Sequence, residues 1–312
     1  MSTIINIVGP AFGIILVGFL SGRFDFLGKD AAAALNRFVF YFALPPALFV
    51  VTARAPVELI FNWPFALVFT GAALVTLLVA VIFGRLWFGH AFESLTVVGL
   101  SAAFGNVFTM GLPLLLTAFG PDGALPAIVA SLINTFVFIA GGVATLEMAR
   151  AAQGSRLRVL ARSFVTVFRN PLVISPLLGM AMAAFAVPLP KAVGNFLDLM
   201  AAPVAPVTLF CLGLSLIGRS VQGNWREILW LAGLKNMLNP LLTCLLVTYV
   251  LPLDPLWSKA VILLSAMPIG TNPYIIAQQY DVQVQTVSSA VVVSTALSVM
   301  TVSGLMIWLG VG

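Results

Sequence analysis

Runs of about twenty apolar residues follow one another through nearly the whole of this 312-residue sequence, and each is long enough to cross the hydrocarbon core of a bilayer as a helix. Only 8% of the residues are charged and 61% are hydrophobic, whereas a soluble domain carries about 25% charged residues. Such a chain cannot cover a water-facing surface with polar groups. It reads as an all-α integral membrane protein whose core is shared with the lipid bilayer. Ten spans can be placed, near 4–22, 33–52, 64–88, 94–119, 124–148, 170–187, 192–217, 227–251, 255–280 and 285–309, and no connection between them is long enough for a soluble domain. The first span carries no basic start or small-residue cleavage site, so it does not read as a signal peptide. The net charge of +5 does not imply a nucleic-acid partner, because the basic residues stand between apolar runs and not among aromatics on a polar face.

Those basic residues set an orientation. Twelve of the fifteen fall on odd-numbered connections, with Arg37 and Lys235 lying slightly inside their spans; only Arg54, Lys191 and Lys259 fall on even ones. The positive-inside rule then places the odd connections in the cytoplasm and both termini outside. The longest connection, 149–169, holds Arg150, Arg156, Arg158, Arg162 and Arg169 and reads as a basic cytoplasmic linker between one half, 1–148, and another, 170–312.

Two spans are interrupted where a membrane helix has no reason to break. Residues 105–113 read GNVFTMGLP and residues 267–273 read MPIGTNP. Backbone groups freed at mid-bilayer must be received by protein or by a water-filled cavity, and a pair of such breaks, one per half, points to a transporter's binding site. Gly105 and Gly111 accept backbone angles that other residues resist. Pro113 suits the first turn of a new half-helix, while Pro268 ends one half-helix and Pro273 starts another. The new half-helices direct unpaired N–H groups and a partial positive charge toward the membrane centre, a favourable place for an anion. Asn106 and Asn272 offer amide donors and acceptors, and Thr109 and Thr271 offer hydroxyls. With Gly111, Pro113, Gly270 and Pro273 they make the candidate substrate site. The competing interpretation is that these Pro and Gly residues only kink their helices.

A shift of 161 residues superposes Pro10 on Pro171, Gly18 on Gly179, Pro45 on Pro206 and Phe49 on Phe210. The second break follows within a residue or two of that register, since Pro113 falls on Pro273 at a shift of 160 and Gly111 lies near Gly270. Each half holds five spans, an odd number, so the halves enter the membrane from opposite sides. This is a 5+5 inverted-topology repeat, in which the breaks in helices 4 and 9 cross near the midplane and build one site.

Further polar residues lie inside spans. Lys235 sits about two turns into the eighth, where charge is costly and functional by default; it either meets substrate or a coupled proton, or snorkels to the interface. Ser131 and Asn134 in the fifth span and Ser294 in the tenth line the site or serve helix packing. Asp198 has Lys191 two turns away on a similar face and reads as structural. His90 stands without a Cys, His or carboxylate cluster around it. Cys211 and Cys244, inside apolar runs, read as small packing residues.

At these residues the sequence resembles the auxin efflux carrier family, in its bacterial branch of malonate and malate transporters. The resemblance rests on LNRFVFYFALP at 35–45, Asn106 through Pro113, Asn170-Pro171-Leu172, Pro206 through Gly213, Lys235 to Pro240, and Met267 through Tyr280, and it runs over essentially the whole chain. It implies ten helices with unwound, crossed helices 4 and 9, a scaffold from helices 1, 2, 6 and 7, a transport part from helices 3–5 and 8–10, and substrate bound beside the crossing. The long cytoplasmic loop of the plant auxin carriers is absent, which argues against auxin as substrate.

The function expected is secondary transport of a small organic anion, a dicarboxylate such as malonate or malate, by elevator-type alternating access in a bacterial inner membrane. No cofactor or metal is called for beyond a coupling H+ or Na+, and symport with either is open, as is a homodimer. A sodium-coupled carrier of the bile-acid or keto-acid type is the nearest alternative. A membrane enzyme would need clustered acidic residues for Mg²⁺, and the ten here are scattered; a channel would need rings of pore-lining charge.

Overall fold

The computed structural model describes residues 9–27, 31–150, 171–215 and 223–311, apart from the side chains at 11, 12, 57 and 60. Residues 4–8 of the first expected span, residues 151–169 of the expected linker, residue 170 of the sixth span and residues 216–217 of the seventh lie outside the described residues. Among the described residues all regular structure is helical.

The helices are α1 (Gly9–Arg23), α2 (Ala31–Arg54), α3 (Trp63–Phe88), α4 (Phe92–Ala103), α5 (107–119), α6 (124–150), α7 (Pro171–Ala184), α8 (Lys191–Ser215), α9 (Trp225–Val250), α10 (Pro255–Ser265), α11 (Thr271–Tyr280) and α12 (Val284–Trp308). Among the described residues, six helical stretches are long and apolar enough to cross a membrane: α2, α3, the run Val107–Arg150 that contains α5 and α6, α8, α9 and α12. Shorter apolar helices fill the remaining places, among them α4 and α10, which are the first halves of the two broken spans. Local chemistry sets the ends. Asn62 caps α3 by accepting from the Phe65 N–H at 3.0 Å, with Pro64 just inside, and Gly89 closes it in the left-handed region at φ 67°.

Several helices widen into π turns: Val39–Ala43 in α2, Val107–Gly111 in α5, Asn134–Ile139 in α6, and Leu234–Leu238 and Leu246–Val250 in α9. Pro113 helps to explain the one in α5. It has no N–H to give, and the carbonyls upstream are taken five residues on, Gly111 N–H donating to Asn106 O at 3.1 Å and Leu112 N–H to Val107 O.

Two packing groups are evident. In one, α1 lies along α8 and α7 along α2, with α2 and α8 also in contact. The closeness has a residue-level cause: a Cβ on Gly18 would strike the Phe210 carbonyl, and one on Gly179 would strike the Thr52 hydroxyl and the Phe49 carbonyl. In the other, α3 packs on α4, α9 on α12, α10 on α3 and α6, and α11 on α4 and α12. The groups meet where α8 touches α5 and α2 touches α6.

Asp198, read from the sequence as structural, has its partner on another helix. The Asp198 carboxylate takes both guanidinium arms of Arg54 at 2.9 and 3.0 Å, joining α8 to α2. Lys191 is seven residues away on the same helix, about 10 Å along the axis at 1.5 Å per residue, which is too far to bond. His90, at the start of the connection into α4, places Nε2 2.5 Å from Glu227 Oε1 at the base of α9.

Candidate functional site

The interruption between α4 and α5 is narrow: Phe104, Gly105 and Asn106 are outside helix, Phe104 extended and Asn106 turning at ψ 55°, and Val107 already begins α5. Between α10 and α11 the chain leaves helix over residues 266–270. These two stretches meet. Gly105 and Ile269 form an antiparallel β-bridge, with Asn106 N–H donating to Pro268 O at 2.7 Å and Gly270 N–H to Phe104 O at 3.0 Å. Each break thus satisfies part of the other's backbone in a region where water is scarce.

Neighbouring helices supply the other partners, and three residues singled out from the sequence are among them. Asn134 of α6 donates through Nδ2 to Gly105 O at 3.1 Å. Ser294 of α12 accepts from Ile269 N–H through its hydroxyl at 3.1 Å. Lys235 of α9, almost wholly buried, donates through Nζ to Ser265 O at 2.7 Å, the last residue of α10. A cation there also faces the negative end of that half-helix. Asn236 joins them by donating to Ser294 O at 3.1 Å. Lys235, Asn236 and Ser294 are therefore braces of the crossing, behind it and away from open space.

In front of the crossing lies a cavity of about 510 Å³, within the range of ligand pockets. Of the candidate site residues, Asn106, Thr109, Asn134, Thr271 and Asn272 line it, as does Ser131. Gly111, Pro113, Gly270 and Pro273 do not; all four are buried in packing around the crossing. The two asparagines differ. Asn106 is 6% exposed and its Oδ1 accepts from the Thr109 hydroxyl, whereas Asn272 is exposed toward the cavity. The first-turn N–H groups of α5 and α11, at Val107, Phe108, Thr271 and Asn272, belong to cavity-lining residues and have no partner within their own helices by helix geometry.

The opposite wall comes from the α1/α2/α7/α8 group: Asn36, Arg37, Phe40, Tyr41 and Leu44 of α2, Leu172 of α7 and Thr208 of α8. This wall escaped the reading of the sequence. Arg37 enters that reading through the charge bias and the stretch at 35–45 and not as a site residue, although an arginine a turn or more inside an apolar run is itself a signal. No Asp, Glu, Lys or His lines the cavity among the described residues, so Arg37 is its one ionised side chain. The electrostatics of this space, a guanidinium facing two helix N-termini, suit an anion. Among the described residues no group of His, Cys, Asp and Glu is arranged to hold a metal ion.

The chain matches the family model described as "Membrane transport protein" over residues 3–306. It is 31% identical over 309 residues to the "Putative malonate transporter" of Rhizobium meliloti (strain 1021), covering 98% of this chain and 96% of that one. It is 29% identical over 295 residues to "Uncharacterized transporter YfdV" of Escherichia coli (strain K12), covering 91% of each. It is 26% identical over 311 residues to the "Lysosomal cholesterol signaling protein" of Mus musculus, covering 92% of this chain but 35% of that much longer one.

Proposed function

This chain belongs to the membrane transport protein family, and from that premise we propose that it is a secondary carrier of small organic anions, with a dicarboxylate such as malonate or malate as its substrate. It is a multi-pass membrane transporter and not an enzyme. The observation that carries the proposal is the hydrogen-bonded meeting of the two broken helices at the edge of a cavity that no acidic side chain lines among the described residues. Substrate carboxylate binds the open N–H groups at the start of α5 and α11, with Asn106, Thr109, Thr271 and Asn272 around it. Gly111, Pro113, Gly270 and Pro273 shape the crossing, and Asn134, Lys235 and Ser294 hold it.

The ten spans form a 5+5 inverted repeat in this reading. Its support is the swapped packing of α1 on α8 and α7 on α2, in which Gly18 and Gly179, superposed at a shift of 161, press on the backbones at Phe210 and Phe49, superposed at the same shift. The α1/α2/α7/α8 group is the scaffold, and the group containing the crossing slides against it as an elevator. The protein resides in a bacterial inner membrane with both termini on the periplasmic side, as the charge bias requires, and the scaffold face is where a homodimer would form.

Purified protein in liposomes is expected to take up labelled malonate, with Asn106→Ala and Asn272→Ala each reducing uptake to near background. Wild-type rates in both variants would remove the crossing from the substrate path. Cation coupling is favoured by a specific feature: Asn134 Oδ1 and Asn236 Oδ1 are buried without a hydrogen-bond partner among the described residues, and amide oxygens are ligands for hard cations. Acceleration by an imposed sodium gradient supports sodium symport, and acceleration by a pH gradient supports proton symport.

A further inference from the structure

We propose that Arg37 reads the second carboxylate of the substrate and so makes this cavity select dianions over monoanions. The inference rests on the anion-carrier reading above and adds to it a residue on the opposite wall. The crossing offers neutral donors: backbone N–H groups, Asn106 and Asn272. These serve one carboxylate and leave the far end of a short dicarboxylate without a partner. Arg37 lines the same cavity from α2 and is the only charged side chain that does so among the described residues. The ion pairs of the described residues are Arg54–Asp198, Arg150–Glu93 and His90–Glu227, so Arg37 is in none of them. A planar guanidinium takes a carboxylate through two parallel N–H bonds.

The internal repeat explains why this guanidinium has no carboxylate partner among the described residues. At the shift of 161 that lays Pro45 of α2 on Pro206 of α8, Arg37 falls on Asp198 and Arg54 falls on Ser215. The Arg54–Asp198 bridge therefore has a counterpart position across the molecule, occupied by Ser215 and Arg37. There no acid meets the base: Ser215 has no charge, and its hydroxyl donates to Leu212 O at 2.7 Å. One copy of the α2–α8 contact is closed by a salt bridge. The other leaves an arginine facing the substrate space. An arginine held inside an apolar span is costly, and here no protein carboxylate among the described residues offsets it.

Arg37 also sits on the group opposite the crossing. A dicarboxylate bound at both ends spans the two groups, so its second carboxylate must leave Arg37 whenever they slide apart.

The experiment compares malonate with its monomethyl ester, which keeps the chain length and one carboxylate, in proteoliposome uptake by wild type, Arg37→Gln, Arg37→Lys and Asn106→Ala. Arg37→Gln is expected to raise the KM for malonate by about 10- to 100-fold, as loss of a charge-assisted contact does, to leave the half-ester KM within about twofold, and so to erase the preference for malonate. Arg37→Lys restores the preference in part. Asn106→Ala depresses uptake of both solutes. An Arg37→Gln protein that still prefers malonate as wild type does overturns the assignment of Arg37 while leaving the crossing untouched. Undiminished uptake of both solutes by Asn106→Ala overturns the site at the crossing instead. Folding of each variant is checked by its elution profile and melting temperature, and Arg37→Lys serves where Arg37→Gln fails to fold.

Discussion

The two broken helices carry the same kinds of residue, glycine, asparagine and proline, and use them differently. The first break is three residues wide and passes at once into a π turn. Its asparagine, Asn106, is turned inward and bonded to Thr109. The second break is five residues wide, is braced from behind by Lys235 and Ser294, and leaves its asparagine, Asn272, open to the cavity. The bridge explains the difference. The local two-fold through Gly105 and Ile269 relates Asn106 to Gly270, and Asn272 to Phe108. The asparagines are thus two positions out of step. One edge of the cavity is an amide bonded within the protein, the other an exposed amide, so the proposed substrate would meet two unlike donors.

The glycines on the bridge offer the harshest way to break this comparison. A Cβ on residue 270 would stand 2.5 Å from the Phe104 ring, wedged between the two strands of the crossing. A Cβ on residue 105 would instead meet the far end of the flexible Lys235 side chain at 3.1 Å, which has to give by only a few tenths of an ångström. Gly270→Ala is expected to part the breaks, to cost about 1–3 kcal/mol of stability as overpacking does, and to reduce uptake to background. Gly105→Ala should keep a folded protein with measurable uptake. Melting temperature and malonate uptake of both proteins check this; equal damage in the two would mean that Lys235 is as rigid as the Phe104 ring.

Bracing can be probed next. Ser294→Ala leaves the buried Ile269 N–H without its acceptor, for an expected loss of about 1–3 kcal/mol read as a lower melting temperature. Thr135 makes a fair control. Its hydroxyl donates to Ser131 O within its own helix at 2.9 Å, so Thr135→Val should change the melting temperature much less. If Ser294→Ala melts with wild type, the second break does not depend on α12.

The asparagines separate stability from transport. Asn106→Ala removes a partly structural side chain, and a loss of about 1 kcal/mol should accompany the loss of uptake. Asn272→Ala removes an exposed one, so its melting temperature should match wild type while uptake falls. A destabilised Asn272→Ala would show that the exposed amide is doing structural work that its position does not suggest.

Much of this architecture was legible in the sequence, because apolar length sets a membrane span and Pro and Gly mark its interruption. Spans such as 64–88 and 227–251 fall within two residues of α3 and α9. The crossing itself was legible too, as two breaks at nearly one register. Its fine register was not. The shift of 161 measured on α1, α2, α7 and α8 becomes 164 at the bridge, since a π turn and loops of unequal length intervene, and no periodicity reports their size. The opposing wall was hidden for another reason. Arg37 gains its meaning from what stands across the cavity, and that is a tertiary fact.

The smallest effect concerns the bridge on the far side of the molecule from the one that Arg37 lacks. Arg54 and Asp198 are about half exposed, at 51% and 47%, and an exposed pair is typically worth about 0.2–1 kcal/mol, with bidentate geometry toward the upper end. Arg54→Gln and Asp198→Asn should each lower the melting temperature slightly, and the double variant should lose little more than either, as for two ends of one contact. Malonate uptake should hold in all three, because neither residue lines the cavity. Were uptake to fall with this pair while stability held, the α2–α8 contact would have to move with each cycle of transport, and the α1/α2/α7/α8 group would not be the fixed partner against which the crossing slides.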